Sequence, residues 1–288
     1  MSESIDNRIR SLCDALRGLS LIGAALKLRS SDDAEPAIRD QIMLGAQAAL
    51  GQSAGTLEEG QASALLEAIG MAFAEAGELF RHPNRGGGWK VEDATLLQTQ
   101  GQASRFVFQR IVALAETRPL LKKTFDGRFL DVGTGVGGIA LEAARTCPTL
   151  LVDGIDIWEP ALALARENVS ASPNAARITI SRCDVCDLAD GERYTLVWLP
   201  TMFLKRSALL RALDRIAAAS LSGSYLVAAA YTRPSDPVAA SFAALRTLRS
   251  GGEVTDASEV EDLLRARRYV DVESTAAPLA TFTLGRLL

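Results

Sequence analysis

Four glycines within six positions, Gly133, Gly135, Gly137 and Gly138, follow the apolar run "FLDV" and its acid Asp131. Glycine removes the β-carbon, so such a run serves a tight turn, a close contact between elements, or a ligand lying against the main chain. Two more acids end later apolar runs: Asp156 in "VDGIDIWEP" and Asp184 in "ISRCDV". Gly133, Gly135 and Gly138 also satisfy G-x-G-x-x-G, which keeps a dinucleotide reading open. Asp131 argues the other way, because a carboxylate at the turn repels a pyrophosphate and attracts an ammonium group. A carboxylate at Asp156 can accept from both hydroxyls of a ribose. Asp184 can accept from the exocyclic amine of an adenine, with the Val185 N–H offered to a ring nitrogen. Plainer uses stand beside these: Gly137 and Gly138 suit close helix–strand packing, and Asp184 suits a turn cap.

Groups at three run ends meet only if the runs are adjacent strands. After residue 125, short apolar runs alternate with helical stretches: "RFLDV", "LLVDGIDI", "RITISRCDV", "YTLVWLP" and "SYLVAAAY", with helices expected over 137–146, 159–169, 206–220 and 257–266. "YVDVES" and "TFTLGRL" then read as a closing hairpin at one sheet edge. That alternation predicts an α/β fold with a doubly wound, mostly parallel, seven-stranded sheet. Ligands of such sheets bind at the carboxyl ends of the strands. Residues 1–118 instead read as successive helices, an all-helical N-terminal cap. Ile5, Ile9, Leu12, Leu16 and Leu19 form its first apolar seam, Pro36 to about Leu50 its second helix, 57–80 its third and 91–117 its fourth. The domain boundary is expected at 118/119.

The whole chain has 288 residues, 48% apolar and 23% charged, with a net charge of −4, which is globular composition with ample core. The charge is evenly spread and no long basic block occurs, so no nucleic-acid surface is expected. No apolar run approaches a membrane span and "MSESIDNRIRSLCDAL" has no signal-peptide core, so a cytoplasmic protein is expected. The four cysteines make no disulfide framework, and Cys183 and Cys186 lack the further ligands of a zinc site; no metal is expected.

An amino-acid head, a ribose and an adenine together describe S-adenosylmethionine. With "LDVGTGVGG", "GIDIWEPALALARENV", "ITISRCDVCDL" and "YTLVWLP" in this order, the chain resembles the class I S-adenosylmethionine-dependent methyltransferases, closely over about 126–200 and by element pattern beyond. The resemblance implies a Rossmann-like methyltransferase sheet and a methyl transfer that leaves S-adenosylhomocysteine. It also implies that Asp131 holds the methionine amino group and that Gly133, Gly135 and Gly137 admit the methionine portion. Asp156 takes the ribose, Asp184 the adenine amine, and Ile157 and Val185 sandwich the ring. Thr134 and Leu199 complete the implied cofactor set.

The fourth strand's end, "WLPTMF", lacks the (Asp/Asn)-Pro-Pro-aromatic pattern common in family members that act on nucleic-acid or protein amide nitrogens. It also lacks the Asp of metal-dependent catechol-type members, and no His follows the fifth strand as in plant-type phenol methyltransferases. What remains is an apolar mouth of Trp198, Met202, Phe203 and Tyr231, suited to a small hydrophobic or aromatic substrate; Trp198 and Phe203 suit a core equally. His82 is the candidate base, or simply a turn residue before Pro83. With Trp89 it flanks the glycines 86–88, a hinge for a lid over the substrate. The N-terminal helices are expected to form a homodimer contact. Rival readings are an NAD(P)-binding oxidoreductase and a protein that binds the cofactor without transferring methyl.

Overall fold

The computed structural model describes residues 4–30, 34–88, 93–277 and 280–288. Contacts divide the chain into two compact units, 1–85 and 86–288. The division falls earlier than the 118/119 boundary read from the sequence because the fourth long helix packs with the sheet.

The first unit holds α1 (Ile5–Lys27), α2 (Pro36–Leu50) and α3 (Glu59–Arg81). Ser4 caps α1, Pro36 opens α2 at a position needing no amide, and Gly51 ends it at φ +74°. Its core is Ile22, Ala25, Leu26, Ala46, Ala62 and Ile69. Gly23 and Gly45 let α1 approach its neighbours: a β-carbon at Gly45 would lie 2.7 Å from Leu21. Only the second half of α1 is buried. The apolar seam of its first half, Ile5, Ile9, Leu12, Leu16 and Leu19, is 41–79% exposed.

The second unit begins with α4 (Ala94–Ala115) and α5 (Pro119–Lys123). Then follow β1 (Arg128–Val132), α6 (Gly138–Thr146), β2 (Leu151–Asp156), α7 (Glu159–Ser170), β3 (Ile178–Arg182), β4 (Tyr194–Pro200), α8 (Arg206–Ala219) and β5 (Ser220–Tyr231). It closes with α9 (Pro237–Arg249), α10 (Ala257–Arg265), β6 (Tyr269–Ala276) and β7 (Ala280–Leu287). The seven strands run in the order β3-β2-β1-β4-β5-β7-β6. The first five pair in parallel, and β7 lies antiparallel to both β5 and β6. The closing hairpin is therefore present, but its second strand sits inside and its first forms the edge.

Strand residues alternate between two cores, as a sheet covered on both faces requires. Phe129, Leu196, Trp198, Tyr225 and Val227 face Phe108 and Ile111 of α4 and Ile139 of α6. Leu130, Val197, Leu199, Leu226 and Ala228 face Leu209, Leu213 and Ile216 of α8 and Leu264 of α10. Helix α9 escaped the sequence reading, although Asp236 caps it with an acceptor for the Ala239 amide and Pro237 opens it. The predicted glycine hinge is docked rather than free. Gly88 N donates to Arg249 O over 3.1 Å, and a β-carbon at Gly87 would stand 2.3 Å from Leu248 O. Among the described residues, no helix is long and apolar enough to cross a membrane.

Candidate active site

The turn from β1 into α6 runs over Gly133, Thr134, Gly135 and Val136 to Gly137, with φ of +69°, +56° and +83° at the three glycines. L-residues with a β-carbon resist that left-handed geometry. The amides of Gly133 and Thr134 both donate to Ile155 O, and Gly137 N donates to Thr134 O. Beside Gly135, nothing among the described residues lies within 4 Å of where a β-carbon would be. The bare backbone there faces open space, which suits a ligand.

Gly138 has a different purpose. A β-carbon on it would lie 2.0 Å from Gly101 O and 2.6 Å from Ser104 Oγ. The glycine that completes G-x-G-x-x-G thus serves a contact between α6 and α4, and Gly137, with Ala165 at an ordinary 3.7 Å, serves the turn.

Asp131 is fully buried at the end of β1, paired with Gly154 of β2 on one side and Trp198 of β4 on the other. Thr134 donates to its Oδ2 over 2.7 Å, and Gly154 is bare because a β-carbon would come within 2.6 Å of that hydroxyl. Among the described residues Oδ1 is buried without a hydrogen-bond partner. Burial raises this carboxyl from the ordinary 3.8 to about 7; the Thr134 hydroxyl opposes the rise, the nearby Asp156 charge adds to it, and the nearby Ala140 amide favours the ionised carboxyl. A buried acid with an unused oxygen is a place where a cationic or hydrogen-bonding ligand would be stabilised.

At the tip of β2, Asp156 accepts from Gly135 N through Oδ2 and from Trp158 N through Oδ1, both over 2.9 Å. It is half-buried, and each oxygen keeps a further lone pair for a ligand. Ile157, 62% exposed, stands next to it. At the tip of β3, exposed Asp184 caps a single turn through Oδ1, accepting from Cys186 N over 2.8 Å, while Val185 is buried in the core. The acids Asp131, Asp156 and Asp184 therefore stand at the ends of three neighbouring strands, the first two bound to the same glycine turn.

The expected substrate mouth is altered. Trp198 is core, its ring 5.6 Å from that of Phe282, and Leu199 is completely buried against α8. Neither side chain faces an open cleft. Met202 and Tyr231 line a cavity of about 10 Å³, together with Thr201, Arg233, Thr247 and Asp256. That is room for one water at most. The segment after α9 approaches Met202 closely: a β-carbon at Gly252 would stand 2.1 Å from Met202 O. Phe203 is 39% exposed. His82 is exposed in the first unit, where its amide caps α3 on Glu78 O over 2.9 Å. Trp89 lies outside the described residues. Among the described residues no cluster of His, Cys, Asp or Glu could hold a metal ion. Sequence reading missed Gln98 and Asn168, which hold the turn from behind.

Strand order separates the two nucleotide-binding readings. Dinucleotide-binding sheets run 3-2-1-4-5-6, whereas here an antiparallel β7 is inserted between β5 and β6. The fold is that of the Rossmann-like, class I methyltransferases. Residues 129–223 match the family described as "Methyltransferase domain". A ubiquinone/menaquinone biosynthesis C-methyltransferase of Geobacter sulfurreducens is 46% identical over 67 residues, 22% of this chain and 26% of that relative. The chain thus spans about a quarter of that protein's length. Among solved structures, the S-adenosylmethionine-dependent methyltransferase SibL in its apo form is similar, with a TM-score of 0.66 at 16% identity, covering 97% of this chain and 98% of that one. Human N-acetylserotonin methyltransferase in complex with SAM gives 0.62 at 13% identity, covering 99% of each chain.

Proposed function

We propose that this protein transfers a methyl group from S-adenosylmethionine to an oxygen, nitrogen or carbon of a small, hydrophobic or aromatic molecule. The observation that carries the reading is the unpartnered, buried Oδ1 of Asp131 beside the bare backbone of Gly135. A cation-bearing amino acid fits that pair better than a pyrophosphate. Asp131 would hold the ammonium end, with Gly133, Thr134, Gly135 and Gly137 offering backbone. Asp156 would take the ribose hydroxyls, and Ile157, Asp184 and Val185 the adenine.

When bound, the cofactor supplies an electrophilic methyl group on a sulfonium sulfur. The chain's task is to hold an acceptor in line with it, and orientation of this kind supplies up to roughly 7–11 kcal/mol. Acceptors already nucleophilic at working pH need no general base, and none is assigned here. Met202, Phe203 and Tyr231 stand where β4 and β5 end, so an acceptor would enter beside them. With so little room there, admission requires the segment 247–256 to shift from Met202. That makes acceptor entry a conformational step.

A second copy of the chain is the proposed partner, through the exposed half of α1. Its five large aliphatic side chains have the 4-3-4-3 spacing of a two-helix seam. Two such stripes, roughly 500 Å² each, would bury about 1,000 Å², the threshold of a specific interface.

Calorimetry of the full chain with S-adenosylhomocysteine and, separately, NADH tests the assignment. Binding of the first alone is expected. Binding of NADH alone would overturn it. Release of S-adenosylhomocysteine during turnover with phenols, amines and enolisable compounds then sorts the acceptor atom.

A further inference from the structure

We infer that Asn168 and Gln98 are a positioning pair that locks the direction of one peptide in the glycine turn, with α4 as its brace; this rests on the cofactor-site reading above. The three left-handed glycines let the turn adopt its shape, but they do not hold it there. Glycine occupies both signs of φ readily, so the peptide between Val136 and Gly137 could rotate and turn its carbonyl toward the ligand side. Its N–H already bonds Thr134 O over 2.9 Å; a donor on Val136 O fixes the other end of the same peptide.

Asn168 Nδ2, in the last turn of α7, donates to Val136 O over 3.0 Å. The same nitrogen donates to Gln98 Oε1 over 3.1 Å, and Gln98 Nε2 returns a bond to Asn168 Oδ1 over 3.1 Å. The pattern admits one assignment of both amides. A carbonyl only accepts, so the Asn168 nitrogen must face Val136. Its oxygen then faces Gln98, whose nitrogen must donate and whose oxygen must accept. Both side chains are half-buried, so neither exchanges these partners freely for water.

The apolar surroundings act in the same place. Leu97, adjoining Gln98, is 3% exposed and clusters with Val136 and Ala161, with Trp158 packed against them. One turn on, a β-carbon at Gly101 would meet Val136 Cγ2, so α4 lies flush against the turn. On the other side, Gly135 N is held by Asp156. The turn is thus gripped by its 135 amide from the ligand side and by its 136 carbonyl from behind. Neither Asn168 nor Gln98 belongs to the implied ligand-binding set. Both act through backbone.

The test measures S-adenosylhomocysteine affinity by calorimetry and amide exchange across 133–138 by mass spectrometry, on the full chain. Asn168→Asp keeps the shape but sets an acceptor against Val136 O. We expect affinity to fall about tenfold and exchange across the turn to rise at least as much, with α8 and α10 unchanged. Gln98→Ala, at a half-buried position and mild for folding, removes the partner that orients the Asn168 amide and should move both readings the same way. Combined, Asn168→Asp with Gln98→Ala should do no more than Asn168→Asp alone, because they break one device. Wild-type affinity and exchange in both folded variants, or effects that simply add, would overturn the inference. Exchange needs no ligand, so failure of the wild-type chain to bind would sink the cofactor reading while the turn's protection still decides the brace.

Discussion

The hydroxyl of Thr134 donates to Oδ2 of Asp131 over 2.7 Å, and among the described residues this is the one hydrogen-bonded side-chain partner of a carboxyl with no exposed surface. The pair ties the glycine turn to the end of β1. It leaves Oδ1 unused, while burial keeps the acid protonated to near neutral pH.

The first prediction follows from that acid. Its folded pKa is about 7 against 3.8 for the free group, so between those values the folded chain holds a proton the unfolded chain has lost. Its stabilising effect is complete below about pH 4 and is lost as pH rises through 7. Melting of the ligand-free protein should decline over this range, and Asp131→Asn should flatten the decline. A cationic ligand favours the ionised acid, so affinity for S-adenosylhomocysteine should rise between about pH 6 and 8 in the wild type and not in the variant. Parallel pH profiles for the two proteins would refute this.

A second prediction separates two neighbouring glycines. Gly135→Ala adds a β-carbon to open space, with only left-handed strain of about 1–2 kcal/mol. Gly138→Ala drives one into the Gly101 carbonyl, an overpacking that destabilises by about 1–3 kcal/mol or more. Denaturant titration should rank Gly138→Ala as the less stable. Bulkier Gly135→Val should lose ligand while still melting cooperatively. Normal ligand binding by Gly135→Val would remove the argument from bare backbone.

Asp156→Ala strands the amides of Gly135 and Trp158 and removes the proposed ribose acceptor. Loss of such hydrogen bonds costs about 1–3 kcal/mol, or roughly 5- to 150-fold in affinity. Equilibrium dialysis with labelled S-adenosylmethionine measures it, and an unchanged constant would remove Asp156 from the site.

The α1 seam supplies the last prediction. Leu12→Glu with Leu16→Glu lie on exposed positions, so folding should be unaffected. Light scattering should find the wild type at twice the chain mass and the variant at one. A wild-type monomer at micromolar concentration would dispose of the proposed partner.

Much of the fold is legible because the sheet's alternation is written in short runs: Phe129 and Leu130, or Trp198 and Leu199, face opposite cores. The places of Asp131 and Asp156 at the ends of their strands were readable from the apolar runs that precede them. The mouth was not. Trp198 is as good a core residue as a pocket residue, and only its register beside Asp131, with Phe282 packed on it, decides between them. Helix α9 hid behind its own capping sequence, "SDP", which reads as loop. Gln98 and Asn168 stand 70 residues apart, and nothing local in either segment signals that they meet. The packing partner of Gly138 was hidden for a related reason: it is Gly101, on a helix that the sequence assigned to the other domain.

The inserted β7 also sets an order of assembly. During synthesis β6 emerges before β7, yet its place in the sheet is next to β7 and away from β5. A nascent chain ending after β6 therefore has no template for that strand, and the open side of β5 stays available to any extended segment nearby. Helix α10 packs on β6 and β7 as well as on the face of β5. Strands β6 and β7 should join the sheet as a single late event, and chaperone capture should peak just before β7 leaves the ribosome.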